Sequence, residues 1–151
     1  MGTEVELTDF SVRLAAHFID AFILIFGWYI IHFLFLLFFV LASASEEMKI
    51  IASYLGLYMY IIGFPLLVVL YFALFESSKY QGALGKILLK IKVVDRKGKR
   101  LRFGQALGRS LGKILSTLIL FIGYLMALWT ENKQTLHDYL SSTYVVSSKR
   151  L

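Results

Sequence analysis

Residues 50–75 read IIASYLGLYMYIIGFPLLVVLYFALF, a run of 26 positions without one charged side chain. At about 1.5 Å per helical residue this run reaches past the roughly 30 Å hydrocarbon core of a bilayer. Residues 21–45 repeat the pattern, carrying no Asp, Glu, Lys or Arg and a single histidine, His32. Across all 151 residues, 58% are hydrophobic and 17% charged, where a soluble domain carries about 25% charged residues. A water-soluble fold of this length cannot hide so much apolar surface. Soluble globular, disordered and coiled-coil classes are excluded, and the expected fold is an all-α integral membrane protein.

Working outward from the two runs, a first span is expected over about 13–42 and a second over about 50–75, with a third over about 106–130. Thr8 or Asp9 is suited to cap the first helix. Pro65, the one proline, predicts a kink in the second. Gly56, Gly63 and the pair Tyr54/Tyr58 are expected to pack inside a bundle, and His32 reads as a packed histidine. Between the second and third spans lies a basic loop, 76–105. From Glu76 to Lys113 the chain holds 11 of its 16 basic residues against two acids, Glu76 and Asp95. Such clustering marks the cytoplasmic side. The N-terminus and residues 76–113 are therefore placed in the cytoplasm of a multi-pass plasma-membrane protein, and residues 43–49 outside. The net charge of +6 is thus a topology signal, and nucleic acid is not an expected partner.

Within the loop, residues 91–94 and 101–103 flank a Lys97-Gly98 turn, which predicts a small β-hairpin. Residues 143–146 form another β-prone piece, able to pair with the loop at the membrane surface. The third segment is preceded by Gly104, Gly108, Gly112 and Ser116 at spacing four, a small-residue stripe of the kind that lets helices approach closely. Two readings of this segment stand side by side: a single crossing, or a helical hairpin turning near Gly123 that returns the polar tail, 131–151, to the cytoplasm.

The chemistry-bearing residues are few. There is no cysteine, hence no disulfide, thiolate metal site or redox thiol. The acidic N-terminus is unlike a signal peptide, and Glu6 stands where a myristoylation signal needs Ser or Thr. Gly82–Lys86 lacks the first glycine and the Ser/Thr of a phosphate loop, and no histidine pair has zinc-binding spacing. No cofactor, no metal and no enzymatic activity are expected. What remains is polar residues in apolar helices. Arg13 and Asp20 lie about 700° apart at 100° per residue, within about 20° of one direction, and His17 falls beside them. Ionisable groups inside a span are costly and face the bundle interior. They serve either as an orienting charge network or as a path for a small cation or proton, with His17 placed to bridge its neighbours.

Taken in order, these residues resemble the landmarks of the RDD family of small membrane proteins, named for an arginine and two aspartates. Arg13-Leu14-Ala15-Ala16 through Ile19-Asp20 resembles its first-helix signature. Gln81-Gly82-Ala83-Leu84-Gly85-Lys86 and Val93-Val94-Asp95 with Gly98 resemble its loop. Arg109, Leu136-His137-Asp138, and Thr143 with Val145-Val146 follow in sequence. The second family aspartate corresponds to Asp138 or to Asp95. Ala83 stands where the family often has Thr, and Ser141-Ser142 replace its usual Ala-Gly. The resemblance, running from Arg13 to about Val146, implies a helical membrane domain and a role in transport, and it adds Arg109, His137 and Asp138 to the Arg13, His17 and Asp20 of the shared helical face as the functional polar set. Three spans enclose little pathway, so a homo-oligomer held through the glycine stripe is expected. The competing expectation is a non-transporting scaffold whose basic loop meets anionic lipids or a partner protein.

Overall fold

The computed structural model describes residues 7–42, 45–119 and 122–148. Two compact units emerge: Ala21–Val68, and Met1–Asp20 together with Val69–Leu151.

α1 (Phe10–Ala42), which belongs to the first unit from Ala21 on, starts three residues before the expected span, and α2 (Glu46–Tyr58) starts four residues early. The second difference has a local cause. Ser45 caps α2 by accepting a hydrogen bond from the Met48 amide, and Glu46 and Glu47 sit in its first turn, where carboxylates suit the helix dipole. A π-helical turn, Met59–Gly63, joins α2 to α3 (Phe64–Ser77). It ends just before Pro65, whose ring crowds the carbonyl four residues back and whose missing N–H interrupts the ladder. The proline is thus accommodated by a widened turn, inside a helix that runs unbroken from Glu46 to Ser77. Gly56 and Gly63 face α1: a Cβ there would stand 3.2 Å from the rings of His32 and Trp28 respectively. Tyr54 and Tyr58 do not join them. They lie on the outward face, 71% and 60% exposed, because their i, i+4 stripe is rotated away from the one carrying the glycines. His32 packs edge-on to Tyr60, with ring centroids 4.4 Å apart.

The second unit takes in the start of α1, to Asp20, the end of α3, from Val69, and the elements that follow. α4 (Leu84–Leu88) leads into β1 (Ile91–Asp95), α5 (Phe103–Leu118) and α6 (Ile122–Leu125) follow, and α7 (Leu136–Leu140) precedes β2 (Thr143–Ser147). The hairpin expected within the basic loop does not form. β1 pairs antiparallel with β2, Ile91 opposite Ser147 through Asp95 opposite Thr143. The turn itself is present, with Asp95 accepting from the amides of Lys97 and Lys99 and Gly98 at φ +73°. Beyond it, α5 begins at Phe103, too soon for a return strand, and Leu101 goes into the core instead. That core gathers Ala16, Ile91, Val93, Leu101, Ala106 and Val145. Leu7 bridges to Val146, tying the segment before α1 to the sheet.

The third apolar segment is not one straight helix over 106–130. Its axis turns by 114° between α5 and the stretch Ile122–Leu128. Among the described residues, two helices are therefore long and apolar enough to cross a membrane, or three if the bent pair counts as one span. The glycine stripe divides as well. A Cβ on Gly112 would stand 3.0 Å from His137 of α7, and Ser116 lies against Gly123, whereas Gly104 and Gly108 face open space.

A buried charge cluster as candidate functional site

α5 is amphipathic in the inverse sense of a water-soluble helix. Arg109, Ser110, Lys113 and Ser116 point inward, while Leu111, Leu115 and Leu118 are 53%, 46% and 73% exposed. Arg109 and Lys113, four residues apart, share one face and meet Glu76 from the last turn of α3. Glu76 is fully buried. Its Oε1 accepts from Lys86 Nζ at 2.5 Å and from Lys113 Nζ at 2.8 Å, and Arg109 Nε stands 3.0 Å from its Oε2. Lys113 also lies over the Phe72 ring, 3.4 Å from its centroid.

A second carboxylate shares Arg109. Asp138 pairs with Arg109 through Oδ1, and its Oδ2 accepts from Arg13 Nη1 at 3.2 Å. Its position comes from the sequence around it. Thr135 and Asp138 form a capping box at the start of α7, each side chain accepting from the other's amide. Arg13 reaches further, donating to the carbonyls of Thr8, Lys133 and Val145 at 3.1, 2.6 and 3.1 Å. One guanidinium thereby fastens the entry to α1 to the segment before α7 and to β2. Arg109 Nη1 also donates to Thr143 Oγ1 at 2.6 Å.

Burial raises a carboxyl group, but Arg109 and Arg13 outweigh that effect and hold Asp138 well below the usual carboxylate range. Burial pushes Lys86 below the usual lysine range, with Glu76 pulling it back and Arg109 pushing it down further. His137 is likewise driven far below the usual imidazole range by burial, and so stays neutral. Its ring meets Tyr124 edge-on, and Nδ1 lies 3.4 Å from Ser116 Oγ.

The first-helix residues part company. His17 does not link Arg13 to Asp20; its ring packs against Phe72 and Tyr124. Asp20, fully buried, accepts at Oδ1 from the Gly85 amide at 2.7 Å and from Tyr71 Oη at 2.9 Å. Its Oδ2 has no hydrogen-bond partner among the described residues. Gly85 is needed for this approach, since a Cβ there would run into the Ala16 carbonyl. Asp20 thus anchors the G-x-x-G-K loop to α1, and Arg13 joins Arg109, His137 and Asp138 elsewhere. Asp95 only caps its turn, and of the two later aspartates it is Asp138 that touches Arg13.

Sequence reading missed Glu76, Lys86 and Lys113, counting them as loop charge. One signal for the last was available. On α5 the charged positions 109 and 113 share a face with small residues, leaving the leucines on the other. Among the described residues no group of His, Asp or Glu is arranged to hold a metal ion.

A model of the RDD family matches residues 7–142. The chain belongs to the RDD family. The uncharacterised protein YxaI of Bacillus subtilis is 39% identical over 144 residues, 91% of this chain and 95% of its own. A proline-rich antigen homolog of Mycobacterium tuberculosis is 37% identical over 73 residues, 48% of this chain but 30% of that longer protein. The proline-rich antigen of Mycobacterium leprae is 34% identical over 62 residues, 40% of this chain and 25% of its own. No solved structure matches this RDD protein. Family and apolar helices together mark it as a membrane protein.

Proposed function

We propose that this RDD protein passes a small ion or solute across the plasma membrane, using the buried Glu76–Asp138 charge cluster as its site. The observation that carries the reading is the inverted distribution of polarity. Six charged side chains, Arg13, Glu76, Lys86, Arg109, Lys113 and Asp138, lie inside while phenylalanines and leucines cover the outside. Charges in an apolar span are costly, and where they occur they mark pathways or relays. The first turns of α1 and the last turn of α3 meet in one network. That supports both ends lying on the same side, which the positive-inside rule makes cytoplasmic. Self-association through the open Gly104 and Gly108 positions would enlarge the pathway.

The test is flux in proteoliposomes. Wild-type protein should move sodium, potassium, protons or a small anion faster than empty liposomes do. An Asp138→Asn protein that still elutes as a folded species should not. Absence of wild-type flux across that panel overturns the reading.

A scaffold role is favoured by a different observation. Arg96, Lys97, Lys99, Arg100 and Arg102 are all exposed around one turn. Each basic residue near an anionic leaflet adds about 1 kcal/mol of attraction. Retention of a mapped cellular function by a flux-dead variant would select this role.

A further inference from the structure

We propose that the pocket bounded by Arg13, Lys86, Arg109 and Lys113 binds one phosphate group, either inorganic phosphate or the headgroup phosphate of an anionic lipid. The inference rests on the reading of this cluster as the site, and it names the ligand class.

Charge count is the first support. Four buried basic residues, Arg13, Lys86, Arg109 and Lys113, face two carboxylates, Glu76 and Asp138, an excess of 4 − 2 = +2 when every group is ionised. Asp20 makes its bonds to Tyr71 and Gly85 and takes no part. Both histidines lining the pocket sit in apolar ring contacts, with Phe72 and Tyr124, and supply no negative charge. Buried charge without a counter-charge is strongly unfavourable. An anion relieves that excess, and a metal cation or a proton adds to it.

Donor geometry is the second. Lys86 and Lys113 both direct their ammonium groups at one oxygen, Glu76 Oε1. Each ammonium carries three N–H donors, so a single shared acceptor leaves donors over on both. Arg109 stands with both lysines at Glu76, and a guanidinium beside ammonium groups is a combination that recognises phosphate oxygens.

Size is the third. The cavity among Arg13, His17, Lys86, Arg109, Lys113 and Asp138 measures about 50 Å³. One water needs roughly 10–15 Å³ of such space, so the cavity takes about four heavy atoms' worth of solvent. That suits an oxyanion and excludes a sugar or nucleoside. Lys86 supplies a further sign of unmet demand, since burial and Arg109 both press it toward losing its proton, and a phosphate oxygen would oppose them.

The experiment measures binding, so it stands apart from flux. Protein in phosphatidylcholine nanodiscs and phosphate-free buffer is titrated with inorganic phosphate at constant ionic strength in chloride, followed by calorimetry and thermal unfolding. In a second arm, nanodiscs contain phosphatidylglycerol. Saturable stabilisation by inorganic phosphate assigns the free ion. Stabilisation by phosphatidylglycerol alone assigns the headgroup. In either case Lys86→Met should weaken binding at least tenfold, and Lys49→Gln, in the first turn of α2 and outside the network, should leave it unchanged. Should Lys86→Met not fold, Lys113→Met and the phosphorus resonance of phosphate with wild type provide the same readout. No response to phosphate or phosphatidylglycerol beyond chloride overturns the proposal. So does binding that survives loss of the lysine, or stabilisation by sodium or potassium instead. Phosphate binding without flux would remove the transport reading and keep this one; sodium or proton flux without phosphate binding would do the reverse.

Discussion

Replacing Glu76 by Gln keeps the side chain's shape and removes the charge that three cations share. Glu76 is 0% exposed, and the side chains of Lys86, Lys113 and Arg109 are 9%, 9% and 2% exposed, so water cannot take over its role. Breaking a buried ion pair from one side costs about 3–5 kcal/mol, because the other charge is left uncompensated. Three partners do not triple that figure, since interactions within one network are not additive. For a chain of this size each kcal/mol moves the melting temperature by about 2–4 °C. The expected drop is therefore about 6–20 °C. The assay is thermal unfolding in nanodiscs, read by tryptophan fluorescence, with Glu46→Gln as the comparison. Glu46 pairs with Lys49 on the surface, its side chain 83% exposed, and such pairs contribute about 0–1 kcal/mol. Combining Glu76→Gln with Lys113→Met should recover part of the loss, because one of the stranded cations goes with it. If Glu76→Gln melts within 2 °C of wild type, comparable to the roughly null effect expected at the surface, the cluster is not a coupled buried network and the reasoning fails.

Two glycines should respond with opposite signs. Gly85→Ala forces a methyl group against the Ala16 carbonyl and Asp20, and should destabilise by about 1–3 kcal/mol, the range for overpacking. Gly108→Ala meets open space on α5 and should stabilise the monomer by about 0.5–1 kcal/mol. A shift of Gly108→Ala toward smaller species in size analysis would show that this face is a subunit contact. The pH profile follows from His137 and Asp138, both held below their unfolded values. Stability from such groups is complete above the unfolded value and is lost as pH falls from it toward the folded value. Melting temperature should decline from about pH 6.5 as unfolded His137 takes up protons, and more steeply below about 3.9 as unfolded Asp138 does. His137 should contribute at most about 1.4 kcal/mol per pH unit to the first decline, and His137→Gln should remove that share. An unchanged melting temperature between pH 7 and 4.5 would contradict the buried neutral histidine.

Hydropathy alone determined the membrane class, the two long helices and the places where charge concentrates, because lipid solvation acts on each segment independently of its neighbours. Single residues at the chain's local features were legible for the same reason: the turn at Gly98 and the disturbance before Pro65 are local backbone effects. The tertiary structure decided what the charges do. Among the 11 basic residues between Glu76 and Lys113, Lys86, Arg109 and Lys113 are buried and the rest are exposed or half-buried, and nothing in composition separates the two sets. Arg13 and Asp20 share a helical face as their spacing indicates, yet one reaches Asp138, 125 residues away, and the other reaches Gly85, 65 residues away. The sequence offered both the neighbouring loop and the tail piece 143–146 as partners for β1, and the packed chain takes the tail. Ion pairs and strand partners are made across long separations, where the energy depends on burial and mutual geometry. Both are properties of the packed chain, and no local window of sequence contains them.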